Sequence, residues 1–328
     1  MKIAFVGKGG SGKTTLAALF ARSLAATGSP VLAFDADINQ HLGTALGLGT
    51  DEAAELPSLG AHLPTIKEHL RGANPRIADA SSMIKTTPPG AGSRLLRVQE
   101  DNPVYDACVR RAGDVRLAVT GSFTDDDLGV ACYHSKVGAA ELLLNHLVDE
   151  SGEYVVVDMT AGADAFASGL FTRFDVTFLV CEPTLRSIGV HEQYRGHARD
   201  HDVRIAAVGN KVSDDEDGEF LHERLGDSLV TSLGRSKLVR AAERGQHRPI
   251  DELEPGNAEA LATMRALVDE TPKDWAKFQR QAVQFHLRNA RSWGNDRAGA
   301  DLADQVDPDF EHGPRALERS GAVPSQAL

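Results

Sequence analysis

The sequence predicts an α/β fold, with a mostly parallel, twisted sheet covered by helices on both faces in three layers. Three observations predict it. Short apolar runs of strand length alternate with segments whose apolar residues recur at helical spacing. The runs are apolar at consecutive positions, as strands buried on both faces are. Several of them stop at glycine, aspartate or asparagine, the residue types found where parallel strands open onto a ligand face.

The first element is a strand over residues 3–6, followed by a glycine-rich loop and a helix over 14–26. A second strand over 31–34 ends at Asp35 and Asp37, so the start of the chain reads as one βαβ unit. The pattern weakens between residues 49 and 114, where proline, glycine and polar residues collect; a short helix is expected at 64–70 and β-like pieces at 94–98 and 104–109. Order returns with a strand at 115–120, a helix at 138–148 and a strand at 154–157 ending at Asp158. A strand at 176–180, a helix at 188–199 and a strand at 205–208 continue the alternation, and helices near 236–244, 257–268 and 273–291 close it. Residues 1–292 therefore read as one domain with a less regular insertion at about 50–114, and 293–328 as an acidic, flexible tail.

With 328 residues, 41% hydrophobic and 25% charged, the composition is that of an ordinary globular protein and excludes disorder of the whole chain. A formal net charge of -12 opposes a nucleic-acid backbone, so specific nucleic-acid binding is not expected. Cys108, Cys132 and Cys181 are odd in number and widely spaced, which fits a reducing cytoplasm. No apolar run approaches the roughly 20 residues that span a bilayer.

The most specific signal is Gly7-x-x-x-x-Gly12-Lys13-Thr14, the phosphate-binding pattern that marks a P-loop nucleoside triphosphatase. Backbone N–H groups from Gly9, Gly10, Ser11 and Gly12 through Thr15 can converge on phosphate oxygens only where side chains leave the approach clear. Lys13 is expected to bridge the β and γ phosphates and Thr14 to ligate Mg²⁺, with the N-terminus of the following helix adding its positive end. The cofactors expected are thus ATP and Mg²⁺.

The loop carries a further lysine directly after its first glycine, in Lys8-Gly9-Gly10-Ser11-Gly12-Lys13-Thr14-Thr15. In this it resembles the deviant Walker A ATPase superfamily that includes MinD, ParA, ArsA, nitrogenase iron protein and CooC, and it looks most like the CooC-type members. The resemblance covers residues 1 to about 51 and 115 to about 264. It implies a homodimer with ATP at the interface, in which Lys8 reaches the partner's nucleotide much as an arginine finger does; a solvated loop charge is the plain alternative.

The resemblance also assigns the switches. Phe34-Asp35-Ala36-Asp37-Ile38-Asn39 looks like the first, with Asp37 positioning the attacking water and Asp35 structural. Val155-Val156-Val157-Asp158-Met159-Thr160-Ala161-Gly162 looks like the second. There Asp158, together with Asp37, would serve Mg²⁺, and Gly162 would offer its N–H to the γ-phosphate. Asn210-Lys211 resembles the pair that faces adenine, and residues 249–257 lie where relatives close over the base.

Between the insertion and the second switch, where CooC carries Gly-Cys-x-Cys, this chain has Cys132-Tyr133-His134. Thiolate and imidazole suit Zn²⁺ or Ni²⁺, and a two-fold dimer would double the pair to four ligands. The leading expectation is a slow, partner-stimulated ATPase with a metallochaperone-like or metal-cofactor maturation role. A ParA- or MinD-like positioning protein acting on a surface or partner, and an ATP-sensing regulator with negligible turnover, stay open. For the surface reading, the stripe Trp275, Phe278, Ala282 and Phe285 could face a membrane or pack on the domain.

Overall fold

The computed structural model describes residues 1–121, 133–166 and 168–319. Strand β1 (Lys2–Gly7) leads into helix α1 (Lys13–Ala26) and strand β2 (Val31–Ala36), the βαβ unit expected at the start of the chain. Short helices α2 (Leu42–Leu46), α3 (Thr50–Ala54) and α4 (Leu63–Arg71) follow. Then come β3 (Leu96–Arg97), α5 (Pro103–Cys108), β4 (Val109–Ala112) and β5 (Val115–Val119). Next are α6 (Tyr133–His146), β6 (Leu147–Val148), β7 (Tyr154–Met159), β8 (Val176–Cys181), α7 (Leu185–Ala198) and β9 (Ile205–Val212). The chain continues through α8 (Asp215–Leu225), β10 (Leu229–Gly234), α9 (Lys237–Ala242), α10 (Pro255–Asp269), α11 (Trp275–Asn289), α12 (Asn295–Ala298) and α13 (Pro314–Arg319).

Among the described residues, eight strands form one sheet in the order β10-β9-β8-β1-β7-β2-β5-β4. Every pairing is parallel except the edge hairpin of β4 with β5; β3 and β6 make a separate two-stranded ribbon. Residues of β1, β2, β7 and β8 are buried along their whole length, which is why they read as unbroken apolar runs. Alternate side chains feed two cores. Ala4, Val6, Leu32, Phe34, Val155 and Val157 pack on one face, and Ile3, Phe5, Val31, Ala33, Val156 and Phe178 on the other.

Phe20 of α1 sits 5.7 Å from Phe5 and 6.0 Å from Phe178, ring centroid to centroid. Such edge-on and tilted contacts add to the burial of each ring. They seat α1 firmly on β1 and β8 and so fix the loop that joins β1 to α1.

Three expectations change. The piece at 104–109 is mostly helix α5 rather than strand: Asn102 accepts from Tyr105 N at 2.8 Å as the N-cap, and Pro103 takes the first helical turn, where its missing N–H costs nothing. Helix α8 and strand β10 extend the sheet past β9, where no element was expected. Asp214 caps α8 by accepting from Asp217 N at 3.0 Å.

The expected flexible tail is also corrected over residues 293–319, which lie along the domain. His286 Nε2 donates to Leu302 O at 2.8 Å, Ala91 N to Asp307 Oδ2 at 2.8 Å, and His312 Nε2 to Asn145 O at 2.8 Å. Leu302 and Leu317 are fully buried. Polar composition misled here because a few well-placed apolar residues and paired polar groups suffice to dock a strap.

The stripe on α11 packs inward as well, with Phe278, Ala282 and Phe285 buried, which removes the membrane-facing alternative for it. No helix among the described residues is long and apolar enough to cross a membrane.

Candidate functional site: a phosphate cradle over buried carboxylates

The loop between β1 and α1 is shaped by its glycines in two ways. A Cβ at Gly7 would lie 2.6 Å from Ser11 Oγ and 2.7 Å from Val180 O, and one at Gly12 would collide with Asn210 Nδ2. Gly12 also has φ +91, a left-handed conformation that L side chains resist. By contrast, Gly9 and Gly10 face open space on the side where a ligand would approach. Ser11 N donates to Lys8 O at 3.0 Å and closes the turn.

Lys13, Thr14, Asp37 and Asp158, four of the residues expected from sequence, converge below this cradle. Lys13 Nζ forms an ion pair with Asp37 Oδ2 and lies 3.8 Å from Asp158 Oδ1. Thr14 Oγ1 donates to Asp158 Oδ2 at 2.6 Å. The parallel register of β2 with β7 sets Asp35 beside Asp158. Asp35 accepts from Leu42 N at 2.8 Å and from Asp37 N at 3.2 Å, so it holds the turn after β2 in shape.

Three carboxylates thus crowd about one lysine in a buried site. Burial pushes Asp158 up to about 6; Lys13 and the Thr14 hydrogen bond pull it back, and the Asp37 charge adds to the rise. Asp35 is pushed up to about 8, first by burial and then by the Asp158 charge. For Lys13, burial works against the ammonium, but Asp158 and then Asp37 outweigh it and hold its pKa above the ordinary lysine value.

Asp158 Oδ1 is buried without a hydrogen-bond partner. An orphaned carboxylate oxygen beside a threonine hydroxyl and a second carboxylate is an all-oxygen donor set of the kind that suits a hard divalent cation. The residues fit Mg²⁺, and the cradle above them fits the phosphates that would share it.

Asn210 and Lys211 stand at the end of β9 beside the loop. Asn210 Nδ2 donates to Ser11 O at 2.7 Å, and Lys211 Nζ donates to Gly10 O at 2.6 Å. Lys211 has φ +61, a strained setting for a side chain with a Cβ. Lys8 turns back to Glu182, with Nζ 3.3 Å from Oε2, while Lys211 Nζ takes Oε1 of the same carboxylate at 2.8 Å. Thr15 lies on α1 facing the cleft, and Gly162, at φ +65, begins the 3-10 turn Gly162–Phe166.

A cavity of about 930 Å³ runs from Gly9 and Gly10 past Thr15 to a wall made by α9 and the residues after it, including Leu238, Val239 and His247. Its far wall comes from these residues rather than from 249–257, where Asn257 Oδ1 instead accepts from Gly234 N at 2.9 Å. That size holds a nucleotide.

Of the remaining candidates, Cys132 lies outside the described residues, and His134 falls in the first turn of α6. Among the described residues no group of three or more His, Cys, Asp or Glu could hold a metal ion. Cys108 and Cys181 are buried, and burial pushes their thiols up to about 11 and about 12. His191, on α7, is buried, while His197 and His201 pack on Phe166 and Phe171.

A model of the CobQ/CobB/MinD/ParA nucleotide binding domain matches residues 3–250. The chain belongs to this family. It is 30% identical over 271 residues to the carbon monoxide dehydrogenase accessory protein CooC of Rhodospirillum rubrum, spanning 82% of this chain and 97% of CooC. An uncharacterised ATP-binding protein of Methanocaldococcus jannaschii is 29% identical over 234 residues, 70% of this chain and 81% of that one.

Solved structures of the family share the fold. A ParA family ATPase from Chlorobium tepidum superposes with a TM-score of 0.56 at 16% identity, covering 81% of this chain and 98% of that one. MinD of Pyrococcus horikoshii with Mg-ADP gives 0.54 at 15% identity, covering 82% and 97%. The P-loop resemblance and the α/β/α layering both stand within the CobQ/CobB/MinD/ParA family. Glu182 is the residue of this site whose role sequence reasoning missed. Its position at the end of a buried strand was visible; its two lysine partners were not, because they come from β1 and β9 on either side of β8.

Proposed function

We propose that the chain is an ATP-hydrolysing, two-subunit switch that serves metal-cofactor maturation, as its resemblance to the CooC-type ATPases implies. The observation that supports this most is the convergence of Lys13, Thr14, Asp37 and Asp158 under an open glycine cradle. Lys13 pairs with Asp37 and lies near Asp158; with ATP it would turn to the β and γ phosphates, which backbone N–H groups of the loop also hold.

Thr14, Asp37 and Asp158 would hold Mg²⁺, which when bound neutralises phosphate charge. Asp37, freed from Lys13, would position the attacking water and accept its proton, and Gly162 N–H would steady the γ-phosphate. Asn210 and Lys211 would face the base. Lys8 of each subunit would complete the partner's site, and Cys132 with His134 would present a thiolate and an imidazole to Zn²⁺ or Ni²⁺ across the two-fold axis.

Phosphate release and nucleotide affinity test the reading. Lys13→Ala is expected to weaken ATP binding about a hundredfold, a loss of about 2.7 kcal/mol. Asp37→Ala should bind ATP and release no phosphate above background. Turnover that survives Asp37→Ala, or binding indifferent to Lys13→Ala, would overturn it. Metal content of the purified dimer should fall in Cys132→Ser if the metal assignment holds.

A further inference from the structure

We infer that the cavity between α7 and α8 is a second binding site, separate from the phosphate cradle, for a small organic anion that carries a phosphate or carboxylate group on an apolar body. The cavity measures about 640 Å³, and its wall includes His191, Arg195, Arg199 and Arg224. Such a site is independent of the nucleotide reading.

The sequence brings these groups together from two helices. His191, Arg195 and Arg199 recur at four-residue intervals along α7 and its C-cap, so they share one face of the helix. Arg224 joins them from the last turn of α8, which packs on the same face of the sheet, with Ala198 and Leu225 entering one core. Val203 and Ile205 add apolar wall at the start of β9. Lys211 lies six residues further along that strand, about 20 Å away at the usual rise, and no residue lines both this cavity and the cleft.

The charge in the wall is uncommitted. Arg195 Nη1 donates to Ser228 Oγ at 3.3 Å, and the Arg224 guanidinium lies 5.7 Å from the centroid of the Phe220 ring; both contacts orient a fork without neutralising it. Glu192 and Asp202 also line the cavity, yet among the described residues neither forms a salt bridge with the three arginines. His191 is 3% exposed, and its Nε2 is buried with no hydrogen-bond partner. Burial and then the Arg195 charge lower the His191 pKa, and the opposing effect of Glu192 is the smaller, so positive charge prevails at the ring. Planar guanidinium forks match the two oxygens of a carboxylate or phosphate. The volume exceeds that of a bare ion, and Val203 and Ile205 give an organic body something to pack against.

Calorimetric titration of the full chain with phenyl phosphate, phthalate and inorganic phosphate tests this, with the His191 ring signals followed by NMR. Phenyl phosphate is expected to bind at least about fivefold more tightly than inorganic phosphate, because its ring adds apolar burial to the charge-assisted contacts. Phenyl phosphate ahead of phthalate would support the site with a phosphate ester as its ligand, and the reverse order would support it with a carboxylate. Replacing Arg195→Gln and Arg199→Gln together should weaken binding by about tenfold or more and abolish the shift of the His191 signals, with ATP affinity as in wild type. Lys13→Ala should leave phenyl phosphate binding at this site unchanged. Binding that survives the arginine pair undiminished, or that is lost only in Lys13→Ala, would put the anion elsewhere and overturn the site. So would failure of all three anions to bind at about 10 mM. Neither failure touches the nucleotide reading.

Discussion

The two ends of the sheet each bury a cluster of charges, and they are built to opposite plans. At the end away from the cleft, Lys273 Nζ reaches Asp149 Oδ2 at 2.6 Å and Asp175 Oδ2 at 2.7 Å. Lys2 Nζ lies 3.6 Å from Asp149 Oδ1 and also donates to Leu144 O and Leu147 O, while Lys2 N donates to Asp175. Burial alone would raise Asp149, yet Lys273, the Met1 ammonium and Lys2 hold it well below the usual carboxylate range. Every acid there has its cation.

At the cleft end Lys13 serves Asp37 and Asp158 with Asp35 close behind, two of the carboxylates are pushed up, and Asp158 Oδ1 has no hydrogen-bond partner. The difference teaches that buried charge alone does not mark a functional site. Closed accounts of charge hold a fold together; a deficit of positive charge marks the place where a cation is to arrive.

The comparison can be broken at the closed end first. Lys273→Met takes from buried Asp175 its only side-chain cation among the described residues and leaves Asp149 with the Met1 ammonium and Lys2, so it is expected to cost about 4 kcal/mol and lower Tm by about 6 °C. Nucleotide affinity should stay within about twofold of wild type, since the cluster does not touch the cleft. A Tm change below about 2 °C would mean that this end is not the structural one.

A third acid sharpens the rule. Glu141 on α6 is buried outside the cleft, with Oε2 unpartnered, and burial pushes it up to about 7 against the pull of Lys85 and Arg173. Because this lies above the free value of 4.5, the folded chain retains a proton that the unfolded chain releases. Stability therefore falls as pH rises from about 4.5 to about 7 and stays reduced above that. Glu141→Gln should gain about 3 kcal/mol over wild type at pH 8 and little at pH 4.5. Equal gains at both, read by denaturant titration, would show that the proton is not the cause.

The smallest effect is expected at the open end and has the opposite sign from the first. Asp158→Asn relieves the crowding of negative charge and should stabilise the nucleotide-free chain by about 1 kcal/mol. It should also weaken magnesium-dependent nucleotide binding by at least about tenfold. A variant that loses both stability and binding would place Asp158 with the structural acids.

Much of this site was legible in the sequence because its chemistry is local. The spacing of Gly7, Gly12, Lys13 and Thr14 dictates a loop shape by itself, and Asp37 and Asp158 follow strands whose burial shows in their composition. The partnership of Glu182 with Lys8 and Lys211 was not legible, since it depends on the order in which distant strands pair. Helix α5 was legible in principle: Asn102 followed by Pro103 is a helix start, but the β-branched and aromatic residues after it argued for a strand. The docking of residues 293–319 was not, because Leu302, Phe310 and Leu317 are too sparse to make a periodic pattern.

That strap has a practical consequence. It splints the 74–91 loop to α6 and α11 through Asp307, Gln305 and His312. A fragment trimmed to the span shared with the family would lose both α11 and the splint. Two apolar patches, one holding Ile84 and the other Leu95 and Val148, would then turn outward, and the fragment should clump during purification even with its phosphate loop intact.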